Sequence, residues 1–238
     1  SRGLGDVYKR QMLDSAGVLA RALLAIGISR TDYGALLIDL LGLAGEAAGS
    51  RSAYWLIEMI EETLAATAPD QAAREQFWHG ALARLAPIAE QLSALQRMTL
   101  VALATSLGWL EALPSALAAP ASPPRDADLA TRLGTKQIGI YTLTESAALQ
   151  AATMLKTLAP DVDVRINSEH VGGASLRALS ENADLFVVVA GSAKHAATDF
   201  IRARRGDKPL VYAAGKGASS ILRAIEDWSR LELSLIHI

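Results

Sequence analysis

The sequence predicts an all-α helical region followed by an α/β domain, in which a four-stranded parallel Rossmann-like sheet of order 2-1-3-4 is flanked by helices. Three observations carry this reading. Residues 12–111 hold alanine and leucine at helical spacing, prolines crowd residues 112–125, and residues 126–229 alternate short β-rich runs with helical segments. Strands that alternate with helices form parallel sheets, because right-handed crossovers return each strand in the same direction.

The helical region comes first. Gly27 and Gly34 bracket a break near Ser29 to Thr31. After Ser52, the residues Ala53, Leu56, Ile57, Ile60 and Leu64 follow the i, i+3, i+4, i+7, i+11 pattern of one buried helix face, with Glu58, Glu61 and Glu62 largely opposite. Pro69 stops that helix and Asp70 caps the next. Phe77, Ala81 and Leu85 mark the following buried face, and Pro87 breaks it. A further helix buries Leu92, Leu95, Met98 and Ala102. Four to five short helices in a bundle or array are expected. Tyr54, Trp55, Phe77 and Trp78 fall at core spacing.

Residues 112–125, with Pro114, Pro120, Pro123 and Pro124, read as a semi-rigid linker. A short helix over 126–133 leads into the α/β domain. Its first strand is Gln137–Thr142, followed by a helix over 145–158. The second strand, Asp163–Asn167, precedes a helix over 173–181. Leu185–Ala190 is an unbroken apolar run, as expected of a strand covered on both faces. A helix over 194–205, the strand Pro209–Ala213 and a helix over 218–228 complete the domain.

Composition narrows the function classes. The chain of 238 residues is 51% hydrophobic and 20% charged, so it can bury a core. Its formal net charge of −2 lacks the global footprint of a dedicated nucleic-acid binder and leaves a nucleic-acid partner open. With no cysteine, disulfides, thiolate nucleophiles and cysteine zinc sites are excluded. No apolar run reaches the roughly 18 residues a membrane span needs, and no secretory signal is seen. A cytoplasmic protein without membrane partners is expected. Residues 6–11 and 234–238 resemble translated sequencing-adapter read-through, so residues 1–11 and 233–238 are expected to be non-native and the chain to be a fragment. A natural tail is the alternative.

Open parallel sheets bind ligands beyond the carboxyl ends of their strands, where strand order reverses. Here that point lies between the first and third strands, under Thr142, Thr144, Ser192, Lys194 and His195. The loop after the fourth strand adds Lys216, Gly217, Ser219 and Ser220. Each loop opens a helix, whose unpaired N–H groups suit an anion. The Gly215–Ser220 spacing does not match a Walker loop, and no Gly-x-Gly-x-x-Gly turn follows the first strand. The glycines could equally serve a tight turn, with Ser219 or Ser220 capping the helix. His195 could bind an anion, act as acid or base, or cap its helix. His170 reads as a solvated loop residue and His79 as structural. The scattered histidines predict no metal site, and the rim shows no obvious carboxylate for magnesium. Arg202, Arg204 and Arg205 read as a solvated complement to a helix C-terminus.

The apolar strand before Ser192-x-x-His195, then Lys208-Pro209-Leu210-Val211 and the start Gly217-x-Ser219-Ser220-Ile221-Leu222, resembles a small bacterial Rossmann-like domain family of unknown function. The resemblance covers Gln137 to Trp228 and none of the helical region. The chain is also similar to C-terminal domains of proteins in bacterial antiphage or DNA-modification clusters. These resemblances imply a Rossmann-like fold and a place in a defence system, and they carry over no activity.

The expected function is thus that of a C-terminal fragment of a larger bacterial protein. Its Rossmann-like domain would bind a phosphorylated or otherwise anionic ligand, a nucleotide or nucleic-acid end, as a sensing or interaction module. No cofactor is expected, and partners would be other parts of a larger protein or complex. Two alternatives stand beside this: an enzyme using Lys194, His195 and Ser192 on a phosphorylated substrate, and a purely structural protein–protein module.

Overall fold

The computed structural model describes residues 2–45, 49–118 and 129–236. The chain divides into two compact units, Ser1–Ala121 and Ser122–Ile238. The first contains α1 (Arg2–Ile26), α2 (Arg30–Ala44), α3 (Ser50–Ala65), α4 (Gln71–Leu85), α5 (Ala94–Leu107) and α6 (Ser115–Ala118), with 3-10 segments at Ala86–Gln91 and Leu110–Ala112.

Local chemistry sets the helix ends. Gly27 takes a φ of 79° between α1 and α2, a left-handed value that favours glycine. Ser29 then caps α2 by accepting from the Asp32 N–H at 3.1 Å. Gly34 lies inside α2, so only Gly27 marks the expected break. Asp70 caps α4 through the Ala73 N–H at 3.1 Å and also accepts from Arg30 Nε at 2.8 Å. At Pro87 the chain tightens into the 3-10 segment, which is kinked at Ile88 with φ −110° and ψ 17°. Ser93 and Gln96 form a reciprocal capping box that restarts the helix as α5.

Helix α3 is the centre of this unit. The sequence pattern gave it one buried face, but residues 52–60 are buried all round. Glu58, expected on the outer side, is 2% exposed. An unpaired carboxylate there would be costly. Arg21 of α1 compensates, reaching Glu58 at 3.3 Å and Glu62 at 2.9 Å. Around α3 pack Tyr33, Leu37 and Leu40 of α2, Phe77 and Trp78 of α4, and Leu100 and Leu103 of α5. In α5 the inward residues are Leu95, Leu100, Leu103 and Ala104, while Met98 and Ala102 are half-buried. Arg84 of α4 holds the end of α2, donating to the carbonyls of Leu41 at 3.1 Å and Gly45 at 2.7 Å.

The expected linker needs correction at its start. Leu113 and Leu117 are buried in the helical core. Buried Arg97 also donates to the Ala116 carbonyl at 3.1 Å and the Ala89 carbonyl at 2.5 Å. Helical packing thus continues to Ala118, because apolar residues between the prolines still find the core. The remainder of the proline-rich stretch, 119–128, lies outside the described residues.

The second unit opens with a helical turn over 129–133. Then follow β1 (Gln137–Tyr141), α7 (Glu145–Leu158), β2 (Asp163–Asn167), α8 (Ala174–Asn182), β3 (Leu185–Val189), α9 (His195–Arg205), β4 (Leu210–Ala213) and α10 (Ala218–Ile236). The four strands form one parallel sheet of order β2-β1-β3-β4. Helix α10 packs on α7 and β4, while α8 and α9 pack together over Tyr141, Phe186 and Val188. Both faces are covered, which is why β3 is wholly buried. Gly139 permits this closeness: a Cβ there would stand 2.8 Å from the Phe186 ring and 3.1 Å from Leu179.

The three C-terminal arginines of α9 do not behave alike. Arg205 is 2% exposed, against the solvated role expected for it. Its guanidinium donates to the carbonyls of Ser180, Ala183, Asp184 and Pro209, at 3.0, 2.6, 3.3 and 2.5 Å. Those carbonyls close α8 and the amino ends of β3 and β4. Arg202 stays exposed and donates to the Tyr212 hydroxyl at 3.1 Å. Among the described residues, no helix is long and apolar enough to cross a membrane.

Candidate functional site

The parallel order places the ends of β1 and β3 side by side, with Tyr141 opposite Val188. From there the loops are joined by hydrogen bonds. Thr142 is fully buried, and its Oγ1 lies 2.8 Å from Ser192 Oγ. The same oxygen accepts from the Thr144 N–H at 3.0 Å. The Thr142 N–H donates to the Asn167 carbonyl at 3.1 Å, which draws in the end of β2. Thr142 therefore ties three strand ends together.

Ser192 ends a 3-10 turn, Ala190–Ser192, that separates β3 from α9. Lys194 is the N-cap residue of α9 and His195 its first residue, and both are exposed. Across from them, the aliphatic stem of Lys216 lies over Gly191, where a Cβ would stand 3.1 Å from Lys216 Cγ. Gly191 thus lets the loops after β3 and β4 meet. Lys216 itself is exposed and Gly217 half-buried.

Two of the expected rim residues face inward. Ser219 is 0% exposed and Ser220 3% exposed. Ser220 Oγ accepts from the Gly215 N–H at 2.8 Å, so this hydroxyl braces the β4–α10 loop. The exposed groups of the rim are the ammonium groups of Lys194 and Lys216 and the imidazole of His195.

The sequence reading missed Tyr141. Its ring is fully buried, and its hydroxyl donates to the Glu169 carbonyl at 3.0 Å while facing the backbone N–H of Lys194. Burial raises the phenol pKa above its ordinary value, and the Lys194 N–H partly offsets that. No local signal could have revealed this link, since one partner is 28 residues away and both are backbone groups.

The reading also missed carboxylates on this edge. Glu145 opens α7 and accepts a hydrogen bond from the Ser168 hydroxyl. Glu169, whose N–H donates to Asn167 Oδ1 at 3.0 Å, follows β2 and lies against Gly173. A carboxylate next to Thr144, at a helix start, was visible in the sequence; its pairing with the β2 loop was not. The carboxyl edge is therefore divided, with acidic groups on the β1–β2 side and cationic groups on the β3–β4 side. Among the described residues, no group of three or more His, Asp or Glu side chains is arranged to hold a metal ion.

The described geometry lies within the span of a known family. A family model described as DpdD-like matches residues 4–224, and so takes in both compact units. No curated protein and no solved structure matches the chain.

Proposed function

This chain belongs to the DpdD-like family, and on that premise we propose that it serves a bacterial DNA-modification or antiphage system. In this reading the α/β unit binds an anionic, phosphorylated ligand, a nucleotide or nucleic-acid end, at the cationic half of its carboxyl edge. The family agrees with the kinship suggested by the sequence, and it extends over the helical unit as well.

The observation that carries the ligand reading is the meeting of the β3 and β4 loops. Lys216 lies across Gly191 next to the Thr142–Ser192 hydrogen bond, while Lys194 and His195 open α9 from the same loop. A helix N-terminus beside two ammonium groups favours anions. Neither lysine is needed to form a turn. The acidic groups Glu145 and Glu169 would restrict an anion to the β3–β4 side.

The enzyme alternative, which uses Lys194, His195 and Ser192 on a phosphorylated substrate, is less well supported if Ser192 is its nucleophile. The Ser192 hydroxyl is engaged by Thr142 Oγ1 and, at 3.4 Å, by the Val189 carbonyl. A nucleophile needs a base at that position instead. His195→Ala separates the readings: a binding module loses affinity modestly, while an enzyme loses turnover far more than affinity. The direct test is calorimetric titration of mononucleotides and 5′-phosphorylated oligonucleotides. Wild type should bind and Lys216→Ala should bind more weakly; binding indifferent to both lysines would refute the proposal.

A further inference from the structure

We propose that the outer edge of β4 extends the anion site into a track for a single-stranded nucleic-acid end. Tyr212 is the platform on which a base stacks, and Arg202 is the contact to the backbone. The inference rests on the anion site proposed for the β3 and β4 loops, and narrows its ligand from a nucleotide or nucleic-acid end to the latter. Among the described residues β4 is the last strand of the order β2-β1-β3-β4, so its outer side pairs with no strand. Tyr212 is in register with Val188, on the sheet face that α9 covers. It is nonetheless 43% exposed, because no strand follows on that side. Its hydroxyl accepts from Arg202 Nη2 at 3.1 Å, which holds the ring at the edge before any ligand arrives. A ring fixed in advance costs less to order on binding.

Charge selects the occupant. Ala213 ends β4, and Lys216 follows in the next loop with its stem over Gly191. From Tyr212 to Ala214, where that loop begins, is about 7 Å at the strand rise. That is about two nucleotides of a stacked strand. A terminal phosphate held by Lys194 and Lys216 therefore brings the next bases over Tyr212. Glu145 and Glu169 oppose the other direction, since they stand on the β1–β2 side and repel phosphates. Asp199 meets Arg202 at 3.7 Å, but the two side chains are 74% and 63% exposed, and a pair so exposed yields to a phosphate at little cost. Past Arg202 the track ends, where Lys208 turns to the Glu181 carbonyl and Asp207 is exposed. Cations interleaved with an aromatic ring hold single strands without reading their sequence. A β-strand laid on this edge would satisfy backbone groups only. A nucleic acid also meets Lys216 and Arg202 with phosphates and Tyr212 with a base.

The test is calorimetric titration of the whole chain with dAMP, with 5′-phosphorylated oligodeoxyadenylates of two, three and five residues, and with hexaglutamate. For wild type, affinity should rise about tenfold from dAMP to the trinucleotide, as one base stack implies, and level off by five residues. That ratio should collapse to near one in Tyr212→Leu and fall in Arg202→Ala. Tyr212→Trp, which keeps a flat ring, should preserve it. Both positions are exposed, and thermal melting checks that each variant folds. A blunt duplex carrying the same phosphate keeps its end bases paired and should bind no better than dAMP. If dAMP binds but added length or unpaired bases bring no gain, or if the gain survives Tyr212→Leu, the track is refuted and the anion site stands. If neither dAMP nor any oligomer binds, both are refuted. Hexaglutamate binding that depends equally on Tyr212 would assign the edge to an acidic protein segment and overturn the proposal.

Discussion

Thr142 Oγ1 and Ser192 Oγ share a hydrogen bond of 2.8 Å between loops fifty residues apart in sequence. The bond fixes the reversal point of the sheet, and Thr142 also accepts from the Thr144 N–H. Thr142→Val removes both contacts while keeping shape. It should destabilise the α/β unit by about 1–3 kcal/mol, the cost of leaving buried polar groups unsatisfied. Ser192→Ala, which removes one contact, should cost less. Chemical denaturation of both variants measures the order; equal losses would mean that the Thr144 contact contributes nothing.

Arg205 offers a larger effect. Its four carbonyl partners lose their donor in Arg205→Met, and the expected loss is at least about 3 kcal/mol. Arg202→Met, on the exposed side of the same helix, should stay within about 0.5 kcal/mol of wild type. Urea unfolding of the two variants side by side checks the contrast.

At the proposed anion site, Lys216→Ala and Lys194→Ala should each weaken ligand binding about tenfold or more, as loss of a charge-assisted hydrogen bond implies. Melting temperature should hardly change, because both side chains are exposed. Ser220→Ala is expected to behave in the opposite way: affinity little altered, but stability reduced through the Gly215 N–H it leaves unpaired. Titration calorimetry paired with thermal melting reads both quantities.

Acid should destabilise both units. The hydrogen bond from Arg30 holds the Asp70 carboxyl below its ordinary pKa, and the Ala73 N–H assists. In the α/β unit, the Gln137 side chain and then Arg165 do the same for Asp163. Because both groups titrate lower when folded than unfolded, their contribution is complete above about pH 4 and is lost as pH falls through the folded values. Asp70→Asn should therefore flatten the decline in stability below about pH 4. Denaturant midpoints measured across that range check the slope.

We expect residues 126–229 to fold alone. Thermal unfolding of that segment should be cooperative, and a broad melt would mean that the helical region completes its core.

Much of the α/β fold was legible in the sequence, because each of its elements announces itself locally. The all-buried run Leu185–Val189 needs two covered faces, and four strand–helix alternations allow few topologies other than 2-1-3-4. Helix caps such as Asp70 were readable because their bonds span three residues. Tertiary structure alone decided which polar groups would be buried. Nothing local distinguishes Glu58 from Glu61, or Arg205 from Arg204; Glu58 is buried because Arg21 arrives from another helix, and Arg205 because carbonyls at the end of α8 and at the amino ends of β3 and β4 converge on it. The rim was divided in the same way. Position in the sequence placed Ser219 and Ser220 beside Lys216, but the helix start that carries them turned both hydroxyls inward. Tyr141, read only as a strand residue, joined the β2 loop to the start of α9. The physical reason is common to all of these: backbone pattern and hydrophobic period act over a few residues, whereas the burial of a charge or hydroxyl depends on partners brought from distant segments by the completed fold.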